Sequence, residues 1–260
     1  MQLLKYLIIK KIKNLIKIIL KYFGYKVSKI KKESFINLYD PFEIQSRLID
    51  DRNKELVIFD VGAHIGEVAL KYKSIFPNSL IYCFEPFIES FEKLKINCLE
   101  NSEFKIYNLG LGDCSGYSSF FSNVYSPTNS LLKPNSEANK VWGDNLLDVK
   151  SNVEVELITL DEFVEINKIE SIDILKLDVQ GAEYKVLNGA NKCFKNGLVK
   201  MIYSEIILSN TYEDQLRFHE SLKLFKEMGF ELFGLYNLSF SKDGKLRQVD
   251  ALFKFENINI

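Results

Sequence analysis

Val57-Ile58-Phe59-Asp60-Val61-Gly62-Ala63-His64-Ile65-Gly66 is an apolar run that empties into a glycine-bearing loop. Val57–Val61 reads as a buried strand, and Val68–Phe76 behind the loop reads as a helix stopped by Pro77-Asn78. Strand, glycine turn and helix in that order open a parallel α/β sheet. Ligands of open α/β sheets sit beyond the carboxyl ends of the strands. Gly62 lets a backbone come close to such a ligand, and the helix behind it offers N-terminal amides to an anion. A pyrophosphate would call for GxGxxG, but position 64 is His, so the loop suits a smaller anion such as the carboxylate of an amino acid.

The rhythm continues outward from that unit. Leu80–Phe84 reads as a strand, Ser90–Leu99 as a helix and Phe104–Leu109 as a strand. The turn-like Gly110-Leu111-Gly112-Asp113 follows. Residues 116–124 and 153–159 look like short strands around a polar loop, 125–152, long enough to be functional or mobile. Strand Ile172–Leu177, helix 182–190, strand Lys200–Ile206 and helix 213–228 restore the alternation. Residues 230–236 and 249–255 form a closing hairpin, so the last strand runs antiparallel. The expectation is an α/β, Rossmann-like, mostly parallel seven-stranded sheet with helices on both faces.

Two acids accompany the loop. Glu85 ends the second strand, 25 residues after Asp60. A carboxylate there can accept hydrogen bonds from both hydroxyls of a ribose; NAD enzymes use the same device, so it signals a nucleoside without saying which. Asp113 follows the third strand and can accept from an adenine amino group, or it is an ordinary turn aspartate.

Composition narrows the class. With 47% apolar and 27% charged residues the chain is of soluble globular type. Cys83, Cys98, Cys114 and Cys193 form no CxxC pair, which speaks against a zinc site or disulfide framework and for a reducing cytoplasm. Residues 1–32 hold ten lysines and no acid. The remainder carries 24 basic and 35 acidic residues, a net of −11, which argues against nucleic acid as the main partner.

Residues 2–23 pattern as an amphipathic helix. Lys10, Lys13, Lys17 and Lys21 share one stripe, and Leu4, Ile8, Ile12, Leu15, Ile19 and Tyr22 share the opposite face. The apolar runs are too short for a membrane span or a signal peptide. Either the helix packs on protein, or it lies on the anionic inner face of a membrane, where each lysine contributes roughly 1 kcal/mol. Residues 33–55 read as a helical lead-in to a domain over 56–257.

The segments DVGAHIG, CFEPFIESFEKLKIN, NLGLGDCSGYSSF, TLDEF and ILKLDVQGAEYKVLNGA, followed by a strand ending in Ser204-Glu205, resemble the FkbM family of S-adenosylmethionine (SAM) dependent methyltransferases over about residues 56–257. The resemblance implies the class I methyltransferase fold and methylation of hydroxyls, often on sugars. By position, Asp60, Gly62, Ala63 and Gly66 match the loop holding the methionine end of SAM, with His64 standing where Asn is common. Glu85 matches the ribose acid, Gly112 and Asp113 the adenine loop, and Asp178 the acid beside the transferable methyl. Gln180 stands where Glu is frequent, so it can orient a hydroxyl but not act as a base.

Methyl transfer to a hydroxyl is helped by a base. Asp178 is the first candidate, Glu205 the second and Glu183 the third, although Glu183 equally suits the first turn of its helix. Asp178 and Glu205 at adjacent strand ends could instead hold a divalent ion. Trp142 and Tyr125 in the long loop could stack on a sugar ring, or anchor the loop. An NAD-dependent oxidoreductase and a non-catalytic membrane-attached scaffold are the competing readings. The first lacks its middle glycine, and the second is opposed by the intact Asp60, Gly62, Glu85 and Asp178.

Overall fold

The computed structural model describes residues 20–22, 39–49, 54–98, 102–143 and 145–256. Apart from the helical residues 20–22, the amphipathic segment 2–23 lies outside them, as does part of the lead-in. Within the lead-in, α1 (Pro41–Leu48) is set by its cap: Asp40 accepts from the Phe42 amide at 3.0 Å, and Pro41 fills the first helical position.

The main sheet is built around β1 (Leu56–Val61), whose apolar residues are covered on both faces. β2 (Ser79–Phe84) and β3 (Phe104–Tyr107) pair outward from it on one side. On the other side lie β7 (Ile174–Leu177) and β8 (Met201–Ile207). These five strands are parallel. The hairpin of β9 (Phe230–Phe240) and β10 (Leu246–Phe255) completes the order β3-β2-β1-β7-β8-β10-β9, with β10 antiparallel to both neighbours. The seven strands and the antiparallel last strand are as the alternation predicts. The chain leaves β1 toward β2 and returns on the opposite side at β7, so the strand order switches beside β1, where such sheets bind ligands.

Helices α2 (Glu67–Ile75) and α3 (Ile88–Cys98) fall within a few residues of expectation. Phe59, Phe84, Leu175, Leu177, Val186 and Ile202 form part of one buried cluster that Phe163 joins from α5 (Leu160–Asn167). The periodicity did not give α5, because its apolar stripe is short. Its start is nonetheless written as a capped Thr-Leu-Asp-Glu, in which Thr159 Oγ1 accepts from the Glu162 amide at 3.1 Å.

Three expectations are corrected, and the two short strands expected around the loop form a second sheet. The strand drawn to Leu109 stops at Tyr107, and Asn108 turns its side chain onto the Glu85 and Pro86 carbonyls at 2.9 and 3.0 Å. β5 (Gly116–Asn123) and β6 (Val149–Ile158) join the short β4 (Gly110–Leu111) in a second, three-stranded sheet. Part of the 125–152 loop is structured, holding a 3₁₀ turn (Ser126–Thr128) and α4 (Ala138–Trp142). The helix predicted over 213–228 is Phe218–Glu227, because Gln215 is spent on the turn before it and accepts from the Thr211 and Tyr212 amides.

Candidate active site

At the carboxyl end of β1 the chain turns through Gly62 at φ +74°. A Cβ there would stand 1.9 Å from the Asp178 carbonyl oxygen, so no other residue fits the turn as it stands. The Gly62 and Ala63 amides both donate to the Phe84 carbonyl at 3.0 Å. These two amides are therefore committed to protein. Gly66, at φ +90°, brings the start of α2 against Leu94, whose Cδ1 would lie 2.8 Å from an added Cβ.

Glu85, just past β2, is almost completely buried and is gripped by two amides. Oε2 accepts from His64 N at 2.8 Å and Oε1 from Phe87 N at 2.9 Å. Burial pushes its carboxyl up from 4.5 to about 7, and the two amides oppose that rise. Each oxygen keeps a further lone pair for a donor. Glu85 lines a cleft of about 270 Å³ whose wall includes Gly62, Ala63, His64, Phe84, Leu111 and Leu157. A carboxylate set in an apolar slot fits a ribose carrying a flat base.

Beneath the loop, Asp60 is fully buried and does not line the cleft. Its partner is Lys176 of β7, with Nζ 2.9 Å from Asp60 Oδ1, 3.5 Å from Asp178 Oδ2, and donating to the Gly62 carbonyl at 2.9 Å. Burial works against the lysine charge, but the Asp60 and Asp178 carboxylates outweigh it and hold the ammonium above its ordinary value. Burial likewise raises Asp60, against the pull of Lys176. Sequence reasoning passed over Lys176. The signal was present, since a lysine in the otherwise apolar strand Ile174-Leu175-Lys176-Leu177 must find a buried acid.

Asp178 follows β7 and lines the cleft half-buried. The Gln180 side chain links it to Glu205 of β8, because Nε2 lies 3.0 Å from Asp178 Oδ1 and 2.6 Å from Glu205 Oε2. Gln248 Nε2 holds the other Glu205 oxygen at 2.7 Å. Burial, then the Asp178, Asp250 and Glu183 charges, keep the Glu205 carboxyl well above its usual range. Glu183 is turned away from the cleft. Its Oε1 accepts from Val179 N at 3.0 Å and Gly181 N at 3.3 Å, which ties the turn to α6 (Glu183–Asn188). Burial lifts its carboxyl to about 7. Asp178 and Glu205 do come together, but an amide donor occupies the place a bridging cation would take. Among the described residues no cluster of three or more His, Cys, Asp or Glu side chains is arranged for a metal.

Among the described residues, the long loop reaches the cleft only at its start. Tyr125 and Ser126 line it, and Ser126 Oγ stands 2.9 Å from His64 Nε2. Burial holds the His64 ring below its ordinary value. Trp142 is elsewhere. Its Nε1 donates to Thr211 Oγ1 at 2.8 Å, and Arg247 covers its ring at 4.4 Å, so it anchors the loop. Gly112 and Asp113 also stand outside the cleft lining, where Gly110 and Leu111 take their place. Gly112 N bonds Ile158 O at 3.1 Å, and Asp113 pairs with Lys185 at 3.3 Å.

Residues 60–232 match the family model described as the methyltransferase FkbM domain. The 2-O-methyltransferase NoeI of Sinorhizobium fredii is 25% identical over 199 residues, covering 74% of this chain and 79% of that protein. Methyltransferase sdnD of Sordaria araneosa is 33% identical over 159 residues, covering 52% of this chain and 60% of the relative. Among solved structures, the Methanococcus jannaschii fibrillarin pre-rRNA processing protein is similar at TM-score 0.46 and 15% identity, over 89% of this chain and 86% of that one. At that distance nothing of its substrate transfers. The glycine turn, the ribose-suited Glu85 and the matched domain agree, and the chain belongs to the FkbM family of SAM-dependent methyltransferases.

Proposed function

We propose that this chain methylates a hydroxyl of a sugar, in a surface glycan or glycolipid, with Asp178 receiving the hydroxyl proton. When bound, SAM supplies a methyl group already activated on a sulfonium. The protein's task is then alignment and proton removal. Glu85 would hold the ribose hydroxyls. The turn from Gly62 to Gly66 and the Lys176–Asp178 pair would meet the charged amino-acid end.

One observation carries the assignment of the base. Of the three candidate acids, only Asp178 lines the cleft. Lys176 Nζ stands 3.5 Å from its Oδ2, and Gln180 Nε2 donates to its Oδ1 at 3.0 Å. Glu205 reaches it only through Gln180, and Glu183 is committed to backbone amides. A base so placed is worth roughly 10²–10⁴-fold. Tyr125, Ser126 and Asn129 make the cleft rim aromatic and polar, a surface suited to a sugar ring. The similarity to NoeI, a 2-O-methyltransferase, supports a hydroxyl acceptor. Incubating the chain with labelled SAM and membrane glycolipid fractions tests the reading: label should enter glycolipid, and label found only in protein contradicts it.

The lysine-striped segment 2–23 supports a second element, attachment to the cytoplasmic face of a membrane. No described helix is long and apolar enough to cross one. The full chain should float with anionic vesicles, and replacing Lys10, Lys13, Lys17 and Lys21 by Gln should release it. Flotation that survives those changes, or never occurs, removes the attachment.

A further inference from the structure

We propose that β9 is the contact surface between two copies of this chain. Among the described residues, β9 forms one edge of the main sheet and pairs on one side only, with β10. Along it Leu232, Phe233, Leu235, Leu238 and Phe240 are between 38% and 53% exposed. The strand holds no lysine and no proline, the usual means of blunting an edge. Monomer surfaces seldom leave this much apolar side chain on one strand.

Three features select a second copy as the occupant. The only charge on β9 is Glu231, already 3.5 Å from Lys226. The strip therefore offers nothing to an acidic or basic partner, yet opposes no like charges when it meets itself. Turned end for end about Leu235, Leu232 comes opposite Leu238 and Leu235 opposite itself, the self-complementarity that a twofold contact needs. At about 150–250 Å² per large side chain, these exposures amount to about 340–570 Å² per copy and about 700–1,150 Å² per pair, a range that reaches the size at which specific interfaces begin.

β9 is also bulged. Its register against β10 shifts between Gln248 and Asp250 and between Leu252 and Phe253, and Asn237 stands at φ +47° with its side chain bonded to Asp250 and Tyr203. Bulges interrupt a ladder, so the copies meet by side-chain packing and not as one continuous sheet. β8 and β10 separate β9 from β7 in the sheet, so the contact leaves the cofactor cleft untouched.

Sedimentation of the full chain over a concentration series tests this beside Leu235→Lys, which sets two buried charges face to face. The chain should dimerise, and the variant should associate about 100-fold more weakly while binding S-adenosylhomocysteine as before. A second variant removes any dependence on how well the lysine is tolerated. Leu235→Cys, in a Cys114→Ser background, should cross-link through a short bifunctional maleimide. A chain that stays monomeric to about 100 μM, a dimer indifferent to Leu235→Lys, or the absence of cross-linking overturns the proposal. Amide-exchange protection of β9 in a monomer would show instead that another segment of the chain covers it.

Discussion

Lys176 Nζ and Asp60 Oδ1 stand 2.9 Å apart where solvent does not reach, and the same ammonium reaches Gly62 O and Asp178. A single buried cation thus joins the glycine turn, the acid beneath it and the candidate base. Lys176→Met would leave Asp60 uncompensated, a change that costs about 3–5 kcal/mol when one partner of a buried pair is removed. Urea unfolding should show that loss, and the double change Lys176→Met with Asp60→Asn should recover much of it. A loss under 1 kcal/mol would mean that the pair is solvated.

Asp178→Asn keeps the side-chain shape and removes the proton acceptor. Methyl transfer at saturation should fall by roughly 10²–10⁴-fold, a larger loss than any in S-adenosylhomocysteine affinity. If Glu205→Gln gives the larger drop, Asp178 is not the proton acceptor.

Glu85 sets a pH dependence. In the folded protein its carboxyl sits near 7, above its ordinary 4.5. The folded form therefore holds this proton to higher pH than the unfolded chain. Its stabilising contribution is full below about pH 4.5 and is lost as pH rises to about 7. Ribose hydroxyls favour the carboxylate, so cofactor-product binding should release a proton near pH 6.5 and weaken toward lower pH, by up to about tenfold per unit. Calorimetry in two buffers of different ionisation heat measures that proton. Its absence, or its persistence in Glu85→Gln, would show that another group titrates.

The two loop aromatics should part company. Tyr125→Ala should raise KM for the acceptor without altering S-adenosylhomocysteine affinity. Trp142→Phe should leave both unchanged and lower stability by about 1 kcal/mol through loss of the Thr211 hydrogen bond. Equal effects on KM would put Trp142 back in the acceptor site.

The mostly parallel seven-stranded sheet was legible because β1, β2, β7 and β8 are apolar runs separated by helices, and Gly62 and Glu85 were legible as cleft residues because they sit at strand ends. What escaped was long-range. Asp60 reads as a ligand-facing acid until Lys176, far along the chain, is seen to claim it. Trp142 reads equally as a stacking platform or a loop anchor until Thr211 and Arg247 close over it. Gly112 and Asp113 were displaced from the cleft because Gly110–Leu111 joins a second sheet, and that depends on a pairing with β6 that no local pattern announces. Glu183 carried both of its readings in sequence, and only the Val179 and Gly181 amides decide between them.

Calorimetric titration of S-adenosylhomocysteine into the full chain, with NAD as control and Glu85→Ala beside it, tests the central claim most directly. Binding near the micromolar range, weakened at least about tenfold by Glu85→Ala and absent for NAD, is the result predicted. No binding, a preference for NAD, or indifference to Glu85 would contradict it.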